Sequence, residues 1–416
     1  MSLKAISDLV IEDFAAELII KDERIASLEA DNTSYRELAL ISIEHLACVT
    51  TRSERLARRL SATQIEYAAF RATDYSSSGY VSTWKIGTTY SPVPDIKLRF
   101  TRSRDIRAPN LGDLYNNVNA GFYTALDPFT NTVPTFILEQ NGNPNLKPEK
   151  ANTTNIGVVL QPTFAPRLSL SVDWWDINLK GALATPSLNQ ILQFCFEGNQ
   201  VQCANIIRAG GPGTPVTRLI QAPFNLAVQR TRGIDFEGSY RLPLADVVDD
   251  APGDVGLHIN ATKYLKNYIN NTLSMPIDNV GENSGAAPPN WTLTSRLDYT
   301  LDALTTSLTA RAMSSGTRLN SYIECTTGCP VTTLNNRTIN DNHMPGYLYF
   351  DTSVSYRFDI GASEIEAFLN IKNLMNKDPA KLAQTADDFG YIGHQTNTNK
   401  YDFLGRTFRM GVRFNM

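Results

Sequence analysis

The last residues of the chain alternate between apolar and polar side chains. One face of this run carries Phe408, Met410, Val412, Phe414 and Met416, and the other carries Arg409, Gly411, Arg413 and Asn415. Alternation with a period of two predicts a β-strand with one apolar and one polar side. The alternation of apolar and polar side chains continues to the last residue, so we expect this strand to be the seam of a closed barrel. Apolar side chains outside and arginines inside predict a transmembrane β-barrel.

The same alternation predicts about twelve strands after residue 62, each near the ~10 residues that a tilted strand needs to cross a bilayer. They lie around residue 67 and at 80–90, 96–101, 156–160, 168–174, 234–240, 255–261, 291–299, 304–312, 348–358, 365–371 and 408–416. The apolar phase changes at Trp175, which predicts a β-bulge or the end of the membrane band. The sequence therefore predicts an all-β, antiparallel fold.

The connections between these strands alternate in length. If the C-terminus is periplasmic, the extracellular connections are 74–79, 105–150, 184–227, 271–288, 318–344 and 376–404. The periplasmic turns are then 91–94, 162–166, 243–253, 302–303 and 359–363. Apart from the short connection at 74–79, long and short loops alternate as in outer-membrane barrels.

Residues 1–62 differ from the rest because they contain no glycine and no proline. Apolar side chains follow a heptad spacing at Ile11, Phe14, Leu18, Ile25, Leu28 and Tyr35. This spacing predicts one or two helices, and both a coiled coil and an amphipathic helix packed on a neighbour remain open. We therefore expect two domains, a helical segment at 1–62 and a barrel domain at 63–416. The N-terminus lacks the features of a secretory signal, so we hypothesise a truncated, fused or mis-started reading frame.

Composition narrows the function classes. The net charge of -4 argues against a nucleic-acid-binding protein, whose binding surface is basic. The 416 residues contain no apolar run long enough for a transmembrane helix. No hydrolase, zinc-protease or phosphate-loop motif is present. We expect no catalytic residue, no metal site, no cofactor and no nucleic-acid partner.

Four of the five cysteines form two local pairs. Cys195 lies near Cys203 and Cys325 lies near Cys329, and both pairs fall in loops that we expect to be extracellular. Disulfides form in oxidising compartments, so these pairs are candidate disulfides, although four unrelated thiols remain the alternative.

Five short motifs follow one another along the barrel domain. They contain Arg107, Ala108, Pro109 and Asn110; Asn143, Pro144, Leu146, Pro148 and Glu149; Gly233 and Asp235; Asn370, Asn373 and Leu374; and Gly405 and Arg406. In this order they are similar to motifs in the barrel of TonB-dependent outer-membrane receptors. The resemblance covers residues 64–416, and residues 1–62 resemble no part of such a receptor.

The resemblance implies about the C-terminal twelve strands of a barrel of about 22 strands, without the N-terminal plug. It also implies energy-coupled uptake of a siderophore, cobalamin, haem or an oligosaccharide across the outer membrane of a Gram-negative cell. The expected partners are outer-membrane lipid, the TonB complex in a complete receptor, and a small-molecule or oligosaccharide ligand at the extracellular loops. The alternatives are a passive porin-like barrel and a secreted all-β binding module. An isolated half-barrel would leave two unpaired edges.

Overall fold

The computed structural model describes residues 63–415 except 76–78, 117–118, 212, 272–275, 333–336, 361–362 and 382–395. The helical segment predicted for residues 1–62 lies outside the described residues. No helix in the described part of the chain is long and apolar enough to span a membrane.

The described residues form strands and a few short helices. The strands are β1 Thr63–Tyr75, β2 Gly79–Val93, β3 Ile96–Arg107, β4 Asn119–Thr124, β5 Thr135–Gln140, β6 Glu149–Leu160, β7 Leu168–Ala184, β8 Ile206–Arg208, β9 Val216–Gln221, β10 Phe224–Pro243, β11 Asp254–Asn270, β12 Ile277–Asp278, β13 Trp291–Leu301, β14 Leu304–Met313, β15 Gly316–Thr317, β16 Ile323–Glu324, β17 Thr338–Ile339, β18 His343–Met344, β19 Tyr347–Ile360, β20 Ser363–Lys372 and β21 Thr407–Asn415. The helices are α1 Leu111–Tyr115, α2 Leu188–Phe196 and α3 Gln200–Cys203, with a 3-10 turn at Leu244–Asp246.

Twelve strands form one large sheet in the order β1-β2-β3-β6-β7-β10-β11-β13-β14-β19-β20-β21, and the short β12 pairs with β11. Every neighbouring pair in this order is antiparallel. Each strand overlaps one of the segments that the alternation predicted, so the antiparallel all-β fold is confirmed.

The loops lie at two ends of this sheet. The long connections, such as 108–148 and 185–223, lie at what we call the long-loop end. The opposite, short-turn end carries the two-residue turns at 94–95 and 302–303. Because the strands alternate in direction, all the long connections share one end, as the sequence predicted.

The two faces of the sheet differ in chemistry. One face, the apolar face, exposes large hydrophobic side chains, with Phe408 at 61% and Met410 at 77% exposed. The polar face carries ion pairs, including one between Arg99 of β3 and Asp173 of β7. A monomer in water rarely exposes such an extended apolar surface, so the apolar face is an interaction surface.

The large sheet is open. Among the described residues, β1 pairs only with β2 and β21 pairs only with β20. The expectation that β21 is the seam of a closed barrel is therefore wrong for this structure. Alternation along β21 sets which side chains lie on each face of the sheet, whereas closure requires a partner strand at the far edge, which the pattern of one strand does not specify.

The change of phase at Trp175 is not a bulge in its own strand. The pairing of β6 with β7 runs without a register shift from Lys150 opposite Lys180 to Leu160 opposite Leu170. Instead the apolar face itself changes from hydrophobic to charged side chains at this level, which favours the other interpretation, the end of the membrane band.

A true register shift lies on the neighbouring strand, between Arg232 and Gly233 of β10 in its pairing with β11. A Cβ atom on Gly233 would lie 2.4 Å from the Trp175 ring and 2.9 Å from the carbonyl oxygen of Lys263. The glycine of this motif therefore makes room for a tryptophan on the polar face.

Candidate functional site

The first two sequence motifs meet at the base of the longest loop. Arg107, the last residue of β3, lies opposite Glu149, the first residue of β6. The Arg107 guanidinium forms an ion pair with the Glu149 carboxylate, which also accepts a hydrogen bond from the backbone N–H of Leu183 at 2.6 Å. Glu149 therefore joins the ends of β3, β6 and β7, and we call these contacts the loop-base ion pair.

The rest of the first motif starts helix α1. Ala108 and Pro109 follow the end of β3, and Asn110 caps the helix because its side-chain oxygen accepts from the N–H of Asp113 at 2.7 Å. The Asp113 carboxylate accepts in return from the N–H of Asn110 at 3.0 Å. This reciprocal capping box satisfies two N–H groups and fixes the direction in which the loop leaves the sheet.

The second motif folds back toward the same base. The Asn143 amide donates to the carbonyl oxygen of Pro223 at 2.9 Å, and its side-chain oxygen accepts from the N–H of Asn145 at 3.0 Å. Leu146, between Pro144 and Pro148, is only 2% exposed. The motif thus anchors one long loop against the start of β10.

Asn225 completes the base, and the sequence did not single it out. Its side chain forms a pair of 2.8 Å hydrogen bonds with the backbone of Lys147 and donates to the carbonyl oxygen of Gly181, also at 2.8 Å. A lone asparagine near a predicted strand start carries no signal of such contacts.

The two longest loops form a common subdomain above this base, which we call the first loop assembly. It contains helices α1, α2 and α3 and a four-stranded sheet in the order β4-β5-β9-β8. Its core consists of Ala125, Phe136, Leu138, Ile191, Leu192, Val216 and Leu219. The Cys195–Cys203 disulfide joins α2 to α3, so these loops are folded rather than irregular.

A buried ion pair holds the first loop assembly together. Asp127 is fully buried and accepts hydrogen bonds from both terminal nitrogens of Arg208, at 2.5 and 2.8 Å. Burial acts to raise the pKa of Asp127, but the Arg208 guanidinium and the hydrogen bond from the N–H of Phe129 together outweigh it, and the pKa lies below the ordinary value. The carboxylate is therefore ionised at neutral pH and holds β8 against the loop that precedes β5.

Aromatic side chains project from the first loop assembly into solvent. Phe122 of β4 is 81% exposed and Tyr115 of α1 is 57% exposed. Exposed aromatic rings at the rim of a folded loop are suited to contact a ligand that has an apolar or aromatic part.

A second loop assembly involves the connections 271–290, 314–346 and 396–406. The Lys400 ammonium donates to the carbonyl oxygens of Glu282 and Ala287, each at 2.6 Å. The Asn397 amide donates to the carbonyl oxygens of Asn283 and Gly285 at 3.0 and 2.9 Å. The segment before β21 is therefore seated on the loop that precedes β13.

Burial changes the titration of this assembly. Burial lowers the pKa of Lys400 to about 8, although the nearby Glu282 carboxylate acts in the opposite direction. Burial raises the pKa of Tyr401 to about 12, and the Tyr401 hydroxyl donates to the carbonyl oxygen of Pro345 at 2.7 Å. Burial also raises the pKa of Glu282.

Arg311 connects the second assembly to the large sheet. Its guanidinium contacts Asp351 of the neighbouring strand at 2.6 Å and Asp402 of the loop at 2.5 Å. The motif residue Asn373 is fully buried, and its N–H donates to Asp351 at 2.9 Å. The Asp351 carboxylate thus accepts hydrogen bonds from both Arg311 and Asn373 of the fourth motif.

The remaining motif residues lie in strand β20 or in the connection between β20 and β21, where their contacts are mainly with the backbone. The N–H of Leu374 donates to the carbonyl oxygen of Phe350 at 2.6 Å, and Asn370 lies opposite Ser353 in the register of β20 with β19. Gly405 has a φ of 68°, and the N–H of Arg406 donates to the side chain of Asn376 at 2.9 Å. None of the motif residues is assigned a ligand contact by these positions.

The polar face forms a groove of about 570 Å³ along β3, β6, β7, β10 and β11. The Nε of Arg99 donates to Asp173 at 2.7 Å, and the motif residue Asp235 accepts from the Thr262 hydroxyl at 2.8 Å. A Cβ atom at Gly157 would lie 2.0 Å from the Asp173 carboxylate, so this ion pair requires glycine on the strand between them.

The described residues contain no cluster of His, Cys, Asp and Glu side chains suited to a metal ion. The second cysteine pair forms the Cys325–Cys329 disulfide within the connection between β14 and β19. Both disulfides therefore lie at the long-loop end.

The family comparison decides the classification. Residues 57–374 match the model of the family described as TonB dependent receptor-like, beta-barrel. The chain belongs to this family. A search of curated proteins finds no match.

Solved structures of similar fold are receptors rather than enzymes. A mutant of the ferric enterobactin receptor PfeA from Pseudomonas aeruginosa is 16% identical, with a TM-score of 0.57 over 84% of this chain and 42% of its own. The siderophore receptor PirA from Acinetobacter baumannii is 14% identical, with a TM-score of 0.54 over 85% of this chain and 43% of its own. This chain therefore spans less than half the length of these TonB-dependent receptors.

Sequence motifs located the bases of the loops in this TonB-dependent receptor chain, and they missed the loops' interiors. Arg107 and Glu149 are 42 residues apart and were named in separate motifs, and the structure pairs them. Asp127 with Arg208 and Glu282 with Lys400 gave no local signal, because each pair joins distant loops.

Proposed function

We propose that this chain supplies barrel strands and ligand-binding loops of an energy-coupled receptor that takes up a ferric siderophore across a Gram-negative outer membrane. The family match over residues 57–374 carries the proposal. The siderophore is preferred over cobalamin, haem and oligosaccharides because the similar receptors PfeA and PirA are described as siderophore receptors.

The chemistry of the large sheet supports a membrane location. Leu98, Phe100 and Ile156 of adjacent strands are 42%, 37% and 51% exposed on the apolar face. A secreted binding module would place such side chains against water at a cost of roughly 25 cal/mol per Å² of apolar surface. A bilayer removes this cost, so the secreted alternative is disfavoured.

The long-loop end supports ligand binding. Both loop assemblies and both disulfides lie there, and buried polar contacts such as Asp127 with Arg208 hold the loops in place. Loops that are ordered before a ligand arrives lose less conformational entropy on binding. We propose the exposed aromatic rim at Tyr115 and Phe122 as a ligand contact.

Energy coupling makes the TonB complex the proposed partner of the complete receptor. Transport would then require the proton gradient across the inner membrane, whereas a passive porin-like barrel would conduct small solutes without it. This difference separates the two candidate functions.

Ligand binding is tested with the full chain folded in detergent micelles, by following tryptophan fluorescence. Ferric catecholate and ferric hydroxamate siderophores, cobalamin, haem and a malto-oligosaccharide are titrated in turn. We expect one ferric siderophore to bind with a Kd at or below about 1 μM, that is, about -8 kcal/mol. Tight binding of one of the other three ligands instead would contradict the siderophore assignment.

A pair of matched variants tests the rim. Phe122→Ser removes an 81% exposed ring at the long-loop end, and Phe164→Ser removes an 87% exposed ring in the connection at the short-turn end. We expect at least about a tenfold loss of affinity in the first variant and none in the second. Equal effects would contradict binding at the loops.

Siderophore uptake by iron-starved cells that persists after the proton gradient is collapsed would favour a passive pore.

A further inference from the structure

The apolar face changes character along four neighbouring strands, β3, β6, β7 and β10. One row across them, in direct register, is entirely hydrophobic and consists of Phe100, Ile156, Trp174 and Ile234. The next row toward the short-turn end continues this pattern with Leu98, Val158, Val172 and Phe236.

The next three rows, toward the long-loop end, are basic. Their twelve positions include six cations, Arg102, Arg104, Lys150, Lys180, Arg230 and Arg232, which we call the outward basic patch. The same rows on these strands contain one carboxylate, Asp176. Successive rows on one face are about 6.7 Å apart, so the patch begins directly above the hydrophobic rows.

Asp176 neutralises only part of this charge. Its carboxylate contacts Arg230 at 2.6 Å and Arg232 at 3.0 Å. Arg102 and Arg104, by contrast, form hydrogen bonds with the neutral side chains of Thr154 and Asn152. The patch therefore keeps a strong net positive charge.

Lys150 and Lys180 provide a second and independent indication of an anion. They lie directly opposite each other in the pairing of β6 with β7, and both are exposed. Like charges in directly opposed positions destabilise a sheet unless an anion lies between them. Neither lysine forms an ion pair with a carboxylate in the part of the chain that the structure describes.

The charge is confined to one part of the sheet. On β14 and β19 the same face carries Ala310, Ala312, Leu348 and Phe350 toward the long-loop end. A generally basic protein would show cations on these strands as well. The opposite face of β3 and β6 at the level of the patch is mixed, with Asp105, Arg107 and Glu149.

We propose that the outward basic patch binds the phosphate groups of lipid headgroups in the leaflet at the long-loop end. The patch continues the apolar face without interruption, and its first row lies where headgroups begin if the hydrophobic rows lie in the hydrocarbon core. Two guanidinium groups on β3 and two on β10 can each form bidentate hydrogen bonds with phosphate oxygens. This inference rests on the membrane location in the proposed function.

The experiment uses the full chain reconstituted in bilayer nanodiscs that contain phosphatidylcholine and a minor fraction of spin-labelled lipid A. The measured quantity is the association constant of the phosphorylated lipid relative to phosphatidylcholine. The test variant is Arg102→Gln, Arg104→Gln, Lys150→Gln, Lys180→Gln, which leaves the Asp176 ion pairs intact. Each cation near the lipid surface strengthens the attraction to phosphate groups, so we expect the selectivity to fall by at least about tenfold.

The matched control removes four cations from the polar face by Arg71→Gln, Lys85→Gln, Lys97→Gln and Lys372→Gln. These four residues lie on the polar face of the sheet. Their directly opposed partners are, in the same order, Thr83, Ser103, Val159 and Thr407. We expect the control to keep the wild-type selectivity, and we expect 0.5 M salt to weaken selectivity in the wild type more than in the test variant. Unchanged selectivity in the test variant would overturn the proposal.

Two further arms separate the possible outcomes. Competition by inorganic phosphate at the same phosphate concentration as the lipid would overturn the proposal, because it would show a site for soluble anions. If the fourfold variant does not fold, the double variant Arg102→Gln, Arg104→Gln is compared with the double variant Arg102→Lys, Arg104→Lys. Only the glutamine variant is expected to lose selectivity.

Failure of the wild type to enter nanodiscs would contradict the proposed membrane location. Loss of siderophore binding with intact lipid selectivity would contradict only the ligand assignment.

Discussion

At the scale of single residues, Glu149 is the side chain on which the loop base depends most. It is 6% exposed, binds Arg107, and satisfies the backbone N–H of Leu183. Removing it leaves a buried donor without a partner as well as breaking an ion pair, and either effect alone is destabilising.

We therefore expect Glu149→Ala to destabilise the folded chain by about 1 to 3 kcal/mol, measured as the shift in guanidinium-induced unfolding in detergent. The control is Glu139→Ala, which removes the partner of the 45% exposed Arg218 side chain and is expected to have an effect below about 1 kcal/mol. Equal shifts for the two variants would show that the loop-base ion pair contributes no more to folding stability than an exposed ion pair does.

The sequence identified Arg107 and Glu149 because each lies in a short motif with proline and asparagine nearby. Asn225 and Arg208 have no such surroundings, although they make contacts of the same kind. Motifs mark positions where local backbone geometry is restricted, and a side chain that contacts a distant loop leaves no local restriction to find.

At the scale of elements, the segment before β21 depends on protonation. Lys400 has a pKa of about 8 in the folded protein, below its ordinary value near 10.4, because burial disfavours the charged form. Between these two values the unfolded chain binds more protons, so stability rises with pH. Tyr401 has a pKa of about 12, so it acts in the opposite sense above about pH 10.

We therefore expect the seating of residues 397–402 on the loop at 279–290 to strengthen from pH 7 to pH 9 and to weaken above about pH 10. The measurement is the rate of proteolytic cleavage within this segment, taken as the ratio of wild type to Lys400→Met so that the pH dependence of the protease cancels. A ratio that stays constant from pH 7 to pH 9 would contradict the role of Lys400.

Alternation predicted all the strands of the large sheet, because a half-buried strand must place apolar side chains on one face. The same criterion could not predict the strands and helices of the loop assemblies. Strands β5 and β9 pair in parallel across two different loops, and Phe136 and Leu138 of β5 are buried in a core that they share with α2 and β9. Such strands form because two loops that are far apart in the sequence pair with each other. The local alternation of apolar and polar side chains does not specify which loops pair.

At the scale of the whole molecule, one sheet separates the apolar face from a polar groove, and its long-loop end differs from its short-turn end. The family and the similar receptors are built on such sheets. The position of every loop follows from the direction of the strands.

We expect the full chain to sediment with outer membranes when it is produced in a Gram-negative host with a secretion signal, and to be released by detergent but not by high salt. The exposed apolar face gives the reason, since salt weakens ionic contacts and leaves apolar contacts intact. The folded form should also migrate differently on a gel before and after boiling. A monomer that stays soluble without detergent would contradict the membrane location and favour the secreted binding module.

The sequence by itself determined the strands, their two faces and the alternation of long and short connections, because these follow from the period-two pattern and from chain direction. Its motifs also marked the loop bases and the family. Only the tertiary structure decided that the sheet is open, that Arg107 meets Glu149 and that distant loops share one core. It also revealed the outward basic patch, because side chains far apart in the chain become neighbours only when the register between strands is fixed.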